Sequence, residues 1–205
     1  MEDELRNLAA YGAYERISHD DLARLGVDGA AVIPGKWVKQ PRPDGSVRCR
    51  VVATEVRHGP REAELYAPTP APCALKLVLA HASAHLQLSS AAWGLRSADV
   101  SAAFLNADVD GIVVIRPPVG ARREPGELWL AKKAFLGLRR SPRLWAERVR
   151  ADLGEIGLHG CSSDLGLYVS SDGLVALMVH VDDVLASGPP ARLDQIFAEL
   201  RPATP

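Results

Sequence analysis

The chain has few cysteines, little net charge and no long apolar run, and each shortage excludes a class of protein. The three cysteines, Cys49, Cys73 and Cys161, are far apart and form no Cys-x-x-Cys pair. Neither a zinc site nor a disulfide framework is therefore predicted, which is typical of a reducing compartment. A formal net charge of −1 over 205 residues argues against nucleic-acid binding through overall basicity. No apolar stretch reaches the ~20 residues of a membrane span, so we expect no membrane partner.

The first residues of the chain are acidic and lack the basic, then apolar, pattern of a signal peptide. We therefore expect an intracellular, cytoplasmic protein to which the nucleus could also be accessible. The length is sufficient for one sizeable hydrophobic core with a smaller subdomain.

Local charge differs from net charge, because basic residues are concentrated in two stretches. The first runs from residue 36 to 61 and the second from residue 132 to 150. Two such stretches beside an acidic site would suit a phosphate backbone and a triphosphate. The alternative is that they only coat solvated faces of the fold.

Two adjacent aspartates, Asp182 and Asp183, lie between apolar runs of strand length that are rich in β-branched residues. This pattern predicts a tight β-hairpin with two carboxylates at its tip. Carboxylates beside a buried strand repel each other and lose hydration, so they need a cation or a solvated turn. Mg²⁺ is the hard, oxygen-seeking ion that such sites usually hold. The alternative is an ordinary solvated hairpin tip, since Asp is a common turn residue.

A third carboxylate, Asp99, ends a short extended segment upstream and could face the hairpin tip from a neighbouring strand. Successive side chains of a strand point to opposite faces, so Asp182 and Asp183 need not have equal roles. Asp99 and the better-directed aspartate could hold two metal ions. Two ions about 3.5–4 Å apart stabilise the attacking and leaving oxygens of an in-line phosphoryl displacement.

Hydrophobic spacing and turn residues predict the remaining elements. Helices are expected over residues 2–10, 19–25, 74–88, 141–156 and 191–201. Strands are expected over residues 36–40, 47–54, 112–116, 128–132, 167–170 and 174–181, with a proline-rich loop over residues 60–72. Two helical stripes should face the core: Leu75, Val78, Leu79, Ala82 and Leu86 in one helix, and Trp145, Val149, Leu153 and Ile156 in the other.

Several blocks of the sequence resemble those of the reverse transcriptases of copia-type retrotransposons, and they occur in the order of that family over nearly the whole chain. Residues 99–106 resemble "DVKTAFLNG", and residues 179–188 resemble "VYVDDILITG". Other blocks are similar to "GTRWVF" (residues 35–38), "NKARLVA" (48–53), "VYMEQPPGF" (112–120), "LKKSLYGLKQAPRAW" (132–145) and "SDPSLFY" (163–168). The first five residues also resemble the family's "MEEEL".

The resemblance implies an α+β fold arranged as a right-hand polymerase. Residues 1–71 would form an N-terminal segment and fingers, and residues 72–205 a palm. The palm would have a ferredoxin-like antiparallel sheet that is covered by helices on one face. The thumb that normally follows in this family is expected to be absent.

The resemblance also implies RNA-directed DNA polymerase activity, with an RNA or DNA template–primer and dNTPs as partners. The primer 3′-hydroxyl would attack the α-phosphate of a dNTP. Asp99 and Asp182 would bridge two Mg²⁺ ions, with Mn²⁺ as an alternative metal. Asp183 would support the site, and the carbonyl of Val100 could add a ligand.

Other positions match substrate-binding residues of the family. Arg50 matches an arginine of the fingers that grips the triphosphate, and Arg48 is a second candidate. Phe104 matches an aromatic that blocks a ribose 2′-hydroxyl, with plain core packing as the alternative. Two positions depart from the family: His180 replaces an aromatic at the primer end, and Arg140 replaces a glutamine near the incoming nucleotide.

Some conspicuous residues are not expected to carry chemistry. His81 and His85 are four apart on a helix but have no third ligand nearby, so we expect packed or exposed histidines. Trp145 is expected in the core rather than stacked on a base. Asp164 is expected to serve as a turn or cap residue.

Two other functions remain open. One is a catalytically inactive, truncated retroelement remnant that at most binds nucleic acid. The other is an unrelated Mg²⁺-dependent phosphotransferase.

Overall fold

The computed structural model describes residues 1–55, 67, 69–88, 92–121 and 124–200. Most of the proline-rich loop predicted over residues 60–72 lies outside these residues. The chain divides into two compact units, and each unit is built from two segments. Unit 1 comprises Met1–Leu65 and Phe104–Leu144, and unit 2 comprises Tyr66–Ala103 and Trp145–Thr204.

The described residues contain five α-helices and ten strands. The helices are α1 (Glu2–Ala10), α2 (His19–Leu25), α3 (Pro72–Leu88), α4 (Ser141–Glu155) and α5 (Pro190–Glu199). The strands are β1 (Tyr14–Ile17), β2 (Ile33–Pro41), β3 (Val47–Ala53), β4 (Gly94–Asp99), β5 (Val114–Arg116), β6 (Leu128–Ala131), β7 (Leu158–Gly160), β8 (Leu167–Ser170), β9 (Ala176–His180) and β10 (Asp183–Gly188). The predicted α+β class is confirmed, and the strands form two sheets rather than one.

Unit 1 contains a five-stranded sheet in the order β1-β6-β5-β2-β3, with β2 and β5 parallel and the other pairs antiparallel. Its core surrounds Trp129 and Phe135, which are almost completely buried. The ring of Tyr14 stacks on Trp129 with 3.9 Å between centroids. The Trp129 indole N–H donates to Glu127 Oε1 at 2.8 Å, which satisfies the polar atom of the largest core side chain.

Helix α2 shows how local sequence sets the ends of a helix. Ser18 and Asp21 form a reciprocal capping box at its start, with the Ser18 backbone N–H donating to Asp21 Oδ2 at 2.8 Å. Gly26 ends the helix at φ +68°, a left-handed conformation that glycine adopts without steric cost.

Unit 2 contains a wholly antiparallel five-stranded sheet in the order β4-β10-β9-β8-β7. Helix α3 packs on one face of it, where Val78 joins a cluster with Met178 and Leu185. Helix α5 packs on the opposite face. Its Asp194 forms an ion pair with Arg96 of β4, and successive side chains of a strand alternate, so Arg96 points away from the face that α3 covers. The expectation that helices cover only one face is therefore wrong for this sheet.

The predicted core stripe of α3 is also wrong in part. The helix buries Ala74, Val78 and Ala82, whereas Leu75, Leu79 and Leu86 are 44%, 43% and 62% exposed. Small side chains allow the helix to lie close to the sheet, and the bulky leucines point elsewhere. Three members of the predicted α4 stripe, Trp145, Val149 and Leu153, are buried, whereas Ile156 follows the end of the helix and is only partly buried.

No helix among the described residues is long and apolar enough to cross a membrane.

Candidate active site

The structure places Asp99 and Asp183 directly opposite each other. Asp99 is the last residue of β4, Asp183 is the first residue of β10, and the two are register partners in the antiparallel pair. The Val100 N–H donates to the Asp182 carbonyl at 2.7 Å. This bond makes the Asp99–Asp183 pair a non-hydrogen-bonded pair, in which Cα atoms are about 4.5 Å apart and side chains approach closely. The two carboxylates thus share one face of the sheet.

The hairpin between β9 and β10 carries the other predicted residues. His180 is the register partner of Asp183 on the side away from Asp99, so His180, Asp183 and Asp99 form a row across three strands. Val181 and Asp182 are the two residues of the turn. The predicted tight hairpin is confirmed, with Asp182 in its turn and Asp183 at the start of β10.

Val181 adopts φ +58°, whereas most non-glycine residues avoid the left-handed region. A positive φ at the first residue of a two-residue hairpin fits the right-handed twist of the flanking strands. Glycine is the usual choice at this position, and a β-branched side chain is strained there. The Trp145 indole N–H donates to the Val181 carbonyl at 2.6 Å and so holds the turn from α4.

We call Asp99, Asp183 and His180, together with Asp182 in the adjoining turn, the acidic row, and it is accessible to solvent. Asp99, Asp183 and His180 are exposed, and Asp182 is partly buried. Like charges directly opposite each other in a sheet are destabilising, so the Asp99–Asp183 pair would gain from a cation.

The donor set fits Mg²⁺, which is usually held by one or two carboxylates together with waters and substrate phosphates. In the described part of the chain, no group of three or more His, Cys, Asp or Glu side chains is arranged to hold a metal by itself. The two opposed carboxylates would therefore hold the ion together with substrate oxygens, and Asp182 is the nearest further acidic residue along the chain.

A cleft of about 470 Å³ lies beside Asp99 in unit 2. It extends along the edge strand β4 to α5, where Arg96 and Phe197 line it. The guanidinium of Arg96 lies 5.9 Å from the centroid of the Phe197 ring and also pairs with Asp194. The cleft therefore lies next to the Asp99 carboxylate, which stays exposed to solvent.

The predicted triphosphate ligands, Arg48 and Arg50, both lie on β3 in unit 1. Residues two apart in a strand point to the same face, so the two guanidinium groups share one side of β3. Arg48 is exposed and Arg50 is partly buried. Their role in binding a triphosphate stays a prediction.

Arg140, also in unit 1, already has an acidic partner. Its Nη1 donates to the carbonyl of Asp110 at 2.9 Å and to Oδ1 of the same residue at 3.1 Å, and Arg143 binds Oδ2. Burial raises the pKa of the Asp110 carboxyl, but hydrogen bonds from Arg143 and Arg140 outweigh it and hold that pKa below its usual value. A nucleotide would compete with Asp110 for Arg140.

Phe104 is partly buried and packs against a small cluster of Ala107, Ala134 and Leu144 in unit 1. This contact supports a packing role, while a role at a ribose 2′-hydroxyl stays a prediction.

The residues that were not expected to carry chemistry have structural partners. His81 bonds through Nδ1 to Ser187 Oγ and through Nε2 to the Gly173 carbonyl, both at 3.0 Å. The ring of His85 stacks on Trp93 with 3.8 Å between centroids. Asp164 accepts the backbone N–H groups of Ala71 and Gly166, as a turn residue does.

Sequence reasoning missed three contributors to these regions. It identified Trp145 as a core residue but not as a hydrogen-bond donor to the hairpin, and it gave no role to Val181 or Asp110. A valine where a two-residue hairpin favours glycine was the one available signal for a strained turn. The partners of Asp110 are distant in sequence and left no such signal.

The fold and site define an α+β protein with an acidic row on an open sheet edge, next to a tight hairpin. Residues 25–200 match the family described as reverse transcriptase (RNA-dependent DNA polymerase). The chain belongs to this family and is a reverse transcriptase domain of the copia type found in retrotransposons.

Three curated relatives illustrate the similarity. The putative transposon Ty5-1 protein of Saccharomyces cerevisiae is 34% identical over 107 residues, which cover 50% of this chain and 35% of that protein. The retrovirus-related Pol polyproteins from transposons RE1 and RE2 of Arabidopsis thaliana are 30% and 29% identical over 77% and 82% of this chain. The chain spans 11% and 12% of the length of those polyproteins.

Proposed function

We propose that this domain catalyses template-directed DNA synthesis by two-metal nucleotidyl transfer from dNTPs to a primer 3′-hydroxyl. The observation that carries the proposal is the register that sets Asp99 opposite Asp183, beside Asp182 in the turn. Two carboxylates brought together from separate parts of the chain and left open to solvent suit a shared divalent ion and a phosphate substrate. Family membership supplies the reaction class.

Each acidic residue has a separate task in this proposal. Asp99 and Asp182 would hold both ions, Asp183 would add a carboxylate to the same site from the strand opposite Asp99, and the Val100 carbonyl would be available as a further ligand. When bound, Mg²⁺ or Mn²⁺ supplies activation of the attacking hydroxyl and charge neutralisation on the leaving phosphates. The protein contributes a fixed register, because the Val100–Asp182 hydrogen bond ties the two acidic segments together.

The remaining substrate contacts are proposed by resemblance. Arg50, supported by Arg48, binds the triphosphate, since a planar guanidinium suits phosphate oxygens. Phe104 excludes a ribose 2′-hydroxyl, and His180 lies next to the primer terminus. Arg140 would contact the nucleotide only if it released its hydrogen bond to Asp110.

By resemblance, the chain has the fingers and palm of a right-hand polymerase. We assign the palm to residues 72–205, which contain Asp99, Asp182, Asp183 and the wholly antiparallel sheet. We assign the N-terminal segment and fingers to residues 1–71, which contain β3 with Arg48 and Arg50. The RNA or DNA template–primer is the expected nucleic-acid partner.

Primer extension on an RNA template with dNTPs and Mg²⁺ tests the proposal. Wild-type protein should extend the primer, and Asp182→Asn and Asp99→Asn should each abolish extension. Asp20→Asn, which removes an exposed carboxylate on α2, is the matched control and should extend normally. Mn²⁺ should replace Mg²⁺.

Three outcomes would contradict the proposal in different ways. Extension by Asp182→Asn at the wild-type rate would reject the site. No extension by wild type, together with retained template–primer binding, would favour the inactive remnant. Hydrolysis of simple phosphoesters without a template would favour an unrelated phosphotransferase.

A further inference from the structure

The turn that carries Asp182 contains a residue that is poorly suited to its conformation. Val181 is at φ +58°, and its side chain is 44% exposed, so side-chain packing does little to hold it there. A β-branched residue in the left-handed region persists only when its surroundings over-determine it. Some other contact must therefore fix this turn.

The contact that the structure shows is the hydrogen bond from Trp145. Its indole N–H, which can only donate, lies 2.6 Å from the Val181 carbonyl oxygen. The indole is 7% exposed, and α4 is anchored further along by Val149 and Leu153, which are 6% and 0% exposed. A donor on the buried face of α4 thus binds the backbone of the turn.

We propose that Trp145 is a positioning residue that keeps the strained Val181–Asp182 turn in place and thereby sets the carboxylates of Asp182 and Asp183 relative to Asp99. The proposal rests on the proposed function, since it concerns the same acidic row. Asp182 follows Val181 directly, and its carbonyl accepts the Val100 N–H that begins the register with β4. A turn that relaxes at Val181 therefore loosens the pairing next to Asp99.

The informative variant is Trp145→Phe, which keeps a large aromatic ring but removes the indole N–H. Trp93→Phe is the matched control in the same unit, because it removes an indole donor to Ser187 Oγ at the opposite end of β10. Both variants should stay folded by circular dichroism. Only Trp145→Phe should weaken Mn²⁺ binding, by about three- to tenfold, the amount that one intramolecular hydrogen bond represents.

Kinetics and amide exchange provide further readouts. Trp145→Phe should lower kcat by a similar factor while leaving KM for dNTP unchanged, because the arginines that bind the triphosphate lie in unit 1. Hydrogen exchange at the Val100 amide should become about three- to tenfold faster. Adding Val181→Gly should restore part of the Mn²⁺ affinity, since glycine adopts a positive φ without strain.

The results separate this proposal from the proposed function. If Trp145→Phe matches Trp93→Phe in Mn²⁺ affinity and in Val100 exchange, the positioning role is overturned, even if the wild type extends primers. If the wild type extends no primer, the proposed function fails, and Mn²⁺ affinity and amide exchange still decide the role of Trp145. If Trp145→Phe does not fold, hydrogen exchange at the Trp145 indole N–H of the wild type decides whether Trp145 has the positioning role. Saturating Mn²⁺ should slow the exchange of that proton, and no change would overturn the role.

Discussion

Among the described glycines of unit 1, Gly137 has the least room for a side chain. Its φ is +90°, and a Cβ added there would lie 2.0 Å from the carbonyl oxygen of Ala53 and 2.6 Å from Cγ1 of Val52. Contacts of this length cannot be relieved by rotating a side chain, because the nearest atom belongs to the backbone. Gly137→Ala must therefore move either the loop or β3.

The cost of Gly137→Ala follows from three effects. A positive φ penalises a residue that has a Cβ by about 1–2 kcal/mol. Overpacking a buried contact adds roughly 1–3 kcal/mol. Separating the segments also breaks the hydrogen bond from the Ala53 N–H to the Leu136 carbonyl, which is 2.8 Å long and contributes about 1 kcal/mol. We therefore expect the free energy of unfolding to fall by about 3–6 kcal/mol, a large part of the total for a typical domain.

Urea denaturation followed by circular dichroism measures this loss, and Gly157→Ala is the matched control. Gly157 has φ +78° but nothing within 4 Å of an added Cβ, so only the backbone penalty of about 1–2 kcal/mol remains. The difference between the two variants isolates the steric cost. Equal losses in both variants would refute the close approach of Gly137 to β3.

Two further predictions concern polar contacts in unit 1. The pKa of Asp110 is lowered in the folded state, so its ion pairs stabilise the fold above its unfolded pKa and are lost as the pH falls through the folded pKa. Asp110→Asn should therefore cost less than about 1 kcal/mol at pH 7, because the site is half exposed, and the difference from wild type should shrink below about pH 4 in thermal melts. A difference that grows at low pH would contradict the assignment. Trp129→Phe should cost about 1–3 kcal/mol in urea unfolding, since it removes a buried hydrogen bond to Glu127, and a loss below about 0.5 kcal/mol would show that this bond does not stabilise the core.

Much of the fold could be predicted from local sequence signals. The bounds of α1 and α2 and of β8 agree with the expected ranges, because capping residues, turns and alternating strand patterns are local features. The short strands β1 and β7, and the parallel pairing of β2 with β5, were not predicted. Strands of three or four residues carry too little pattern, and pairing between distant segments depends on tertiary contacts.

The predicted core stripe of α3 was wrong in part for a related reason. The helix has apolar residues on all of its sides, so periodicity alone favoured the face with the bulky leucines. In the structure, the smaller Ala74 and Ala82 face the sheet instead. In the candidate site, adjacent aspartates between strand-like runs predicted the hairpin correctly. The register partner of Asp99 could not be predicted, because β4 and β10 are distant in sequence and no short turn between them fixes their pairing.

The most direct test of the central claim is a calorimetric titration of Mn²⁺ into the wild-type chain, Asp99→Asn and Asp183→Asn. The opposed carboxylates should bind the ion in the wild type, and each substitution should weaken binding by at least tenfold. In metal-free buffer the same substitutions should leave stability unchanged or slightly raised, because they remove a like-charge pair. Unchanged Mn²⁺ affinity in both variants would show that Asp99 and Asp183 do not share a divalent ion.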